Sequence, residues 1–314
     1  MNNDQFIVIT GAAGLIGSCC VRYLNDLGFT KLILVDDIKK TNKWKNLLNK
    51  KYVAFISKYQ LFDWLKGREK EIEAFIHLGA CSDTLEQNEE YLMQNNLHYS
   101  IRLAEYALRA EHRFIYASSA ATYGDGSQGF IDDHARLEYL KPLNSYGFSK
   151  YAFDLWLKQQ GVLDQVVGLK YFNVFGPNEN HKGRMAAMIY KMTLLVQKEK
   201  LIRLFASSDP DQFADGEQSR DFIYVKDACE MTCEFLKNSI GGIFNIGSGA
   251  TTTWRSLALA IFKTLKTPLN ITFIKMPKEL AIQYQNYTCA DMQKYIKNVN
   301  QPKLYSIEDA VEDY

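Results

Sequence analysis

The sequence predicts an α/β protein, a Rossmann-like doubly wound parallel sheet with a smaller, mixed α/β lobe beside it. Three observations carry this. Short β-branched runs alternate with helical stretches through the first half of the chain. The first run ends in a glycine cluster, Gly11-Ala12-Ala13-Gly14-Leu15-Ile16-Gly17. The second ends on an acidic residue, Asp36. Phe6–Thr10 is short and apolar enough to be a central buried strand. Residues 16–27 carry helical periodicity and stop at Gly28, and residues 31–36 form the second strand, so a βαβ unit opens the chain. Residues 74–79 and 114–118 predict two further buried strands, with a helical stretch over 89–109 between them. Residues 166–172 predict another. The texture changes after Phe175-Gly176-Pro177. Residues 178–183 read as a polar loop, 186–198 as a helix and 207–220 as a long loop with Asp-Pro and Asp-Gly turn signals. Residues 241–249 hold a strand bounded by glycine turns. The expected division is a first domain over 1–175, with about 221–250 returning to it, and a second lobe made mainly of 176–314.

Composition sets the outer limits. The chain has 314 residues, of which 47% are hydrophobic, enough for one large α/β unit or two joined lobes. The 37 basic and 36 acidic side chains nearly cancel, so nothing draws the whole chain to nucleic acid or an anionic membrane. No apolar run is long enough to span a bilayer, and the first residues lack a basic region and signal core. A cytoplasmic protein is the expectation. The six cysteines, at 19, 20, 81, 229, 233 and 289, form no Cys-x-x-Cys pair, so reduced, buried thiols are expected and no metal site. Cys229 and Cys233 are expected on one helix.

Three motifs converge on a nicotinamide site. In Gly11-x-x-Gly14-x-x-Gly17 the glycines permit positive φ and let backbone N–H groups approach a pyrophosphate at a helix N-terminus. Asp36 closes the second strand, where it can hold the adenosine ribose, which alone favours NAD. Asp37 is followed by Lys39, Lys40, Lys43 and Lys45, with Lys58 further on, and cations there can meet a 2′-phosphate. Most of these lysines read as a solvated face; Lys43 is the expected phosphate contact. Tyr146 and Lys150, four apart, share a helix face, so the ammonium can lower the phenol's pKa and ready it to take a proton. Taken alone, that spacing also describes a surface pair. Ser119, just after an apolar strand, can polarise the reacting oxygen. His77 reads as a structural residue at a strand end and His181 as a loop residue.

These residues resemble the extended short-chain dehydrogenases/reductases that act on nucleotide sugars. The resemblance rests on the glycine turn, Ser118-Ser119-Ala120-x-x-Tyr123-Gly124 and Tyr146-x-x-x-Lys150. Longer stretches are similar to the ADP-heptose 6-epimerase branch: Gly79-Ala80-Cys81-Ser82, Lys141-Pro142-Leu143-Asn144, Tyr171-Phe172-Asn173-Val174 and His181-Lys182-Gly183. Arg220-Asp221-Phe222 and Gly242-Ile243-Phe244-Asn245 extend the match over nearly the whole chain. The resemblance implies a tightly bound NADP, with NAD as the other possibility. Gly11, Gly14, Leu15, Ile16, Gly17, Asp36, Asp37, Lys43, Lys58, Leu78, Gly79, Ala80, Cys81, Ser82, Asn95, Lys150 and Val174 would line it. Ser119, Asn173, Lys182, Arg184, Lys191, Phe205, Ala206, Ser207, Ser208, Arg220 and Tyr284 would hold the sugar nucleotide. The branch commonly carries Glu at Leu78, Ser at Arg184 and His at Lys191, and a shorter loop than 208–220.

The chemistry implied is inversion of C6″ of an ADP-heptose through a transient ketone, for lipopolysaccharide core synthesis. An unactivated C–H is far too weakly acidic for direct proton abstraction, so hydride leaves and returns. Inversion needs proton handling on two faces, which implies Tyr146 and Lys182 as acid/base groups. Lys182 is also readable as a phosphate contact. The alternatives are a UDP-hexose 4-epimerase, another nucleotide-sugar epimerase or dehydratase, or a non-catalytic NADP-binding protein. Ala120-Ala121 after Ser119 lacks the Asp-Glu pair of dehydratases, and retention of both Tyr146 and Lys150 argues against a non-catalytic role. The resemblance also implies a homo-oligomer, a pentamer, with no nucleic-acid or membrane partner.

Overall fold

The structure, a computed structural model, describes residues 4–38, 41–207, 209–277 and 284–314. Lys39, Lys40 and the substrate candidate Ser208 lie outside the described residues. In chain order the strands are β1 (Phe6–Thr10), β2 (Leu32–Asp36), β3 (Ala54–Ser57), β4 (Ile72–His77), β5 (Arg113–Ser119), β6 (Val167–Tyr171) and β7 (Asn173–Phe175). They continue as β8 (Ile202–Phe205), β9 (Ser219–Arg220), β10 (Phe222–Tyr224), β11 (Gly242–Ile246), β12 (Thr252–Thr253) and β13 (Ile271–Ile274).

Seven strands form one parallel sheet in the order β3-β2-β1-β4-β5-β6-β11. β1, β2, β6 and β11 are Val/Ile/Leu-rich and almost wholly buried, as strands covered by helices on both faces must be. The chain runs outward from β1 to β3 and then crosses back to β4. That reversal opens a crevice at the carboxyl ends of β1 and β4, where ligands of doubly wound sheets bind. β3 escaped the sequence reading because it is a four-residue edge strand following Lys50 and Lys51, with little apolar content to mark it.

The Leu15–Asp26 helix starts at Gly14 with no side-chain cap, so its first N–H groups remain available to a ligand. The 89–109 stretch is helical throughout, but Met93–His98 widens into a π-helical segment between two α-helical parts. The Ser145–Gln159 helix is capped by Asn144, whose side chain accepts from Gly147 N at 2.8 Å. The smaller lobe is mixed: β8 pairs with β13 in parallel, β9 with β12 antiparallel, and β7 with β10 in parallel. The long loop expected over 207–220 closes on β9. Among the described residues no helix is long and apolar enough to cross a membrane.

Candidate active site

The glycine turn is built for close approach. Gly11 has φ +68°, and a Cβ there would meet Gly79 N at 2.7 Å. A Cβ on Gly17 would lie 2.2 Å from the Gly11 carbonyl oxygen. These contacts bring β1, the uncapped helix and the segment after β4 within backbone distance of one another. A cleft of about 440 Å³ opens there. It is lined by Gly11, Gly14, Leu15, Ile16 and Gly17, by Leu78, Gly79, Ala80, Cys81 and Ser82, and by Asp36, Lys43 and Val174. Ser119, Tyr146, Lys150 and Lys182 line the same cleft. A smaller pocket of about 200 Å³ shares Gly11, Asp36, Lys43, Gly79 and Ala80 and adds Asp37, Lys58 and Asn95.

At the junction of the two, Asp36 is buried and fully engaged. It accepts from Ala13 N at 2.8 Å and Asp37 N at 2.6 Å, and it pairs with Lys43 Nζ at 2.5 Å. Lys43 thus binds the carboxylate that the sequence set against it, so the two act as one neutralised unit. Lys58 Nζ donates to Asn95 Oδ1 at 2.7 Å. The π-helical segment that carries Asn95 also carries Asn96. Asn96 fixes Cys81 by bonds to its N–H (2.8 Å) and carbonyl (2.9 Å) and reaches Ser149 Oγ at 3.0 Å.

Tyr146 behaves differently from the expectation. Burial pushes its phenol above the ordinary tyrosine value, and only the hydrogen bond from Ser119 pulls the other way. Desolvation outweighs any help from Lys150, because Lys150 is itself buried and held down to about 8, with the Asp154 carboxylate partly offsetting that fall. Burial also lowers Lys182, with Glu179 opposing and Lys191 adding to the fall. Two groups in one cleft are therefore pushed apart: a phenol that keeps its proton and an amine that loses one early.

Beneath them lies a polar network that sequence reasoning missed. Asp154, one helical turn past Lys150, pairs with Lys170 Nζ at 3.1 Å. It also accepts from Tyr116 (2.9 Å) and Ser118 (2.7 Å), and Lys170 reaches Thr122. Asp154 is fully buried and Lys170 is 1% exposed, so each charge depends on the other. A lysine inside the buried strand over 166–172 was the available signal. His77, at the end of β4, bonds Thr10 Oγ1 at 2.6 Å and Ser100 Oγ at 2.8 Å and is buried neutral, a structural residue. His181 and Met185 line the cleft, though the sequence marked neither as a site residue.

The remaining candidates form other groups. Arg184 pairs with Asp83, a cleft residue, at 2.6 Å, and Lys191 donates to the Arg184 carbonyl at 2.5 Å. Asn173 Nδ2 donates to the Asp221 carbonyl at 3.1 Å, next to Arg220. Arg220 is buried, 4.8 Å from the Tyr284 ring centroid and 5.9 Å from Trp254. Trp254 Nε1 donates to Tyr284 Oη at 2.7 Å. Among the described residues no carboxylate pairs with Arg220, so its buried guanidinium is open to an anion. Phe205 ends β8, Ala206 N donates to the Ile274 carbonyl at 2.8 Å, and Ser207 N donates to Asp215 at 2.7 Å. Neither cleft includes these residues. No cluster of three or more His, Cys, Asp or Glu among the described residues is arranged to hold a metal.

The profile of the NAD dependent epimerase/dehydratase family matches residues 7–247. The chain is 44% identical over 311 residues to the ADP-L-glycero-D-manno-heptose-6-epimerase of Nitratidesulfovibrio vulgaris, covering 98% of this chain and 96% of that protein. It is 40% identical over 320 residues to the protein of that name from Fusobacterium nucleatum, with the same coverage, 98% and 96%. The solved ADP-L-glycero-D-manno-heptose-6-epimerase of Helicobacter pylori superposes with a TM-score of 0.83 at 28% identity, over 99% of this chain and 95% of that one.

Proposed function

The chain belongs to the NAD dependent epimerase/dehydratase family, and from that premise we propose that it is an isomerase inverting C6″ of ADP-D-glycero-D-manno-heptose to the L-glycero epimer. The observation that carries this reading is one cleft holding Tyr146, Lys182, Ser119 and Lys150 against the glycine turn. The residues present fit a nicotinamide dinucleotide. Uncapped N–H groups at Gly14 face the pyrophosphate position, and the glycine contacts leave no room for side chains there. When bound, the cofactor accepts hydride from C6″ and returns it to the other face of the resulting ketone.

The protein's own groups handle the protons. Lys182, lowered by burial, takes the hydroxyl proton on one face. Tyr146, which keeps its proton, delivers one to the carbonyl oxygen on the other. In the reverse direction the roles exchange. Ser119 hydrogen-bonds the reacting oxygen and Lys150 holds the nicotinamide ribose. Arg220, clasped by Tyr284, takes the substrate diphosphate. The Asp36–Lys43 unit presents the adenosine ribose with a neutralised carboxylate, which favours NADP over NAD. Residues 1–175 with 221–250 serve the cofactor, and the rest mainly the sugar nucleotide. The setting is cytoplasmic, in a homo-oligomer supplying lipopolysaccharide core heptose.

Incubation with ADP-D-glycero-D-manno-heptose should yield the C6″ epimer by NMR, with no build-up of free reduced nicotinamide during turnover. Steady release of reduced cofactor would replace the epimerase reading with a dehydrogenase.

A further inference from the structure

The largest cavity in the described structure, about 710 Å³, lies away from the active cleft and is lined by Cys19 and Cys229 together with Lys50, Asn178, Asp227 and Tyr305. Cys19 and Cys20 sit on the Leu15–Asp26 helix, and Cys229 and Cys233 sit one turn apart on the Val225–Glu234 helix. The two helices pack so that Cys19 hydrogen-bonds Cys229, while Cys20 reaches both Cys229 and Cys233. All four are free thiols, and no metal-holding cluster exists among the described residues. Paired thiols without a metal are a dithiol.

We propose that Cys19 and Cys229 form a peroxide-responsive dithiol that closes to a disulfide when a hydroperoxide enters the cavity they line. Cys19 is the attacking thiol. It is 9% exposed against 0% for Cys20 and Cys233, so it meets an incoming oxidant first. Hydrogen bonds from Cys229 and, more weakly, Asn178, with the charge of Lys50, hold its thiol below the usual value against the effect of burial. The thiolate of Cys19 attacks the peroxide O–O bond, giving a sulfenic acid at Cys19 and one water or alcohol. The Cys229 thiol then displaces the sulfenic hydroxyl as a second water, forming the S–S bond. Two thiols are oxidised, one hydroperoxide is reduced, and the thiol protons leave in the products.

The site reaches the cleft through one loop. Cys19 Sγ contacts the Pro177 carbonyl at 3.8 Å and accepts from Asn178 Nδ2 at 3.5 Å. The Asn178 carbonyl accepts from Asn46 Nδ2 at 2.9 Å, and Asn46 also contacts His181 Nδ1 at 3.2 Å, next to Lys182. A disulfide has no S–H to give Pro177 and is a poorer acceptor for Asn178. Oxidation therefore loosens the turn that positions Lys182.

The test is covalent and does not depend on the epimerase assignment. The full chain is treated with hydrogen peroxide, denatured, alkylated and peptide-mapped. The expected product is a Cys19–Cys229 linked peptide, reversed by dithiothreitol and missing from both Cys19→Ser and Cys229→Ser. A linkage through Cys20, peroxide damage that leaves Cys19 alkylatable, or direct passage of Cys19 to the sulfinic acid would overturn it. Should a serine variant not fold, the unmodified protein decides. Native Cys19 should react with a small alkylating agent about tenfold or more faster than Cys20. Equal rates would overturn the proposal.

Discussion

At Tyr146 two effects compete, and burial wins over the neighbouring ammonium. The opposite shifts of Tyr146 and Lys182 make separable predictions. Tyr146→Phe and Lys182→Met should each stop epimerisation, with losses of roughly 10²-fold or more, as removal of a general acid or base gives. Each should keep the ability to reduce a 6″-aldehyde analogue from one face, and the surviving face should differ between them. Near-normal turnover by Lys182→Met would reduce that lysine to a phosphate contact. Lys150 titrates near 8 and is needed charged, so nicotinamide cofactor binding should weaken as pH rises through about 8. Lys150→Arg should remove that alkaline loss, since a guanidinium does not titrate there. Lys43→Ala leaves Asp36 facing the ribose unneutralised. It should narrow the NADP-over-NAD preference by ~1–3 kcal/mol, the scale of charge-assisted hydrogen bonds, in paired binding titrations.

The glycine turn is an element whose backbone leaves little freedom. Gly17→Ala places a methyl 2.2 Å from the Gly11 carbonyl oxygen, so strand and helix must part. It should cost roughly 1–3 kcal/mol of stability, as overpacking does, and abolish measurable cofactor binding. Gly14→Ala meets the same carbonyl at 3.2 Å and should be the milder change in the same thermal-unfolding and binding assays. Equal effects would mean that the helix start, not the turn, is the constrained part. The π-helical segment over Met93–His98 plays a comparable part: it aims Asn95 at Lys58 and Asn96 at Cys81 and Ser149, tying three separate stretches to one wall of the cleft.

For the whole molecule, acid sensitivity should follow the buried imidazole at the centre of the sheet. His77 is held down to about 3 from an ordinary 6.5, by burial first and then by Lys150. The folded state binds that proton less tightly than the unfolded one. The contribution is therefore fully present above about 6.5 and lost as pH falls toward about 3. Near pH 5 the loss is about 2 kcal/mol, from 1.4 kcal/mol per pH unit. Asp227, raised by burial to about 6, acts in the opposite sense, because its protonated form is the one favoured in the fold. Urea midpoints near neutrality and near pH 5 check the sum. NMR titration of the His77 ring checks the cause: protonation of that ring near its ordinary value in the folded protein would remove the explanation.

Much was legible in the chain because it is local. Phe6–Thr10, the glycine turn, Asp36 and the four-residue spacing of Tyr146 and Lys150 each determine their own geometry through backbone sterics and periodicity. They named the sheet, the cofactor face and the reactive pair. Sheet order was not legible, because nothing near residue 242 states that β11 pairs with β6, a partner some 70 residues away. Nor was the edge strand β3, too short to show a period. The electrostatics were likewise tertiary. Lys43 was read as a phosphate contact and folds onto Asp36; Tyr146 was read as activated and is raised by its surroundings; Asp154 and Lys170 find each other across different elements. The sequence by itself determined which chemical groups this protein has and which local frames hold them. Only the tertiary structure decided how deeply each is buried and what it faces, and those two quantities set the charge it carries.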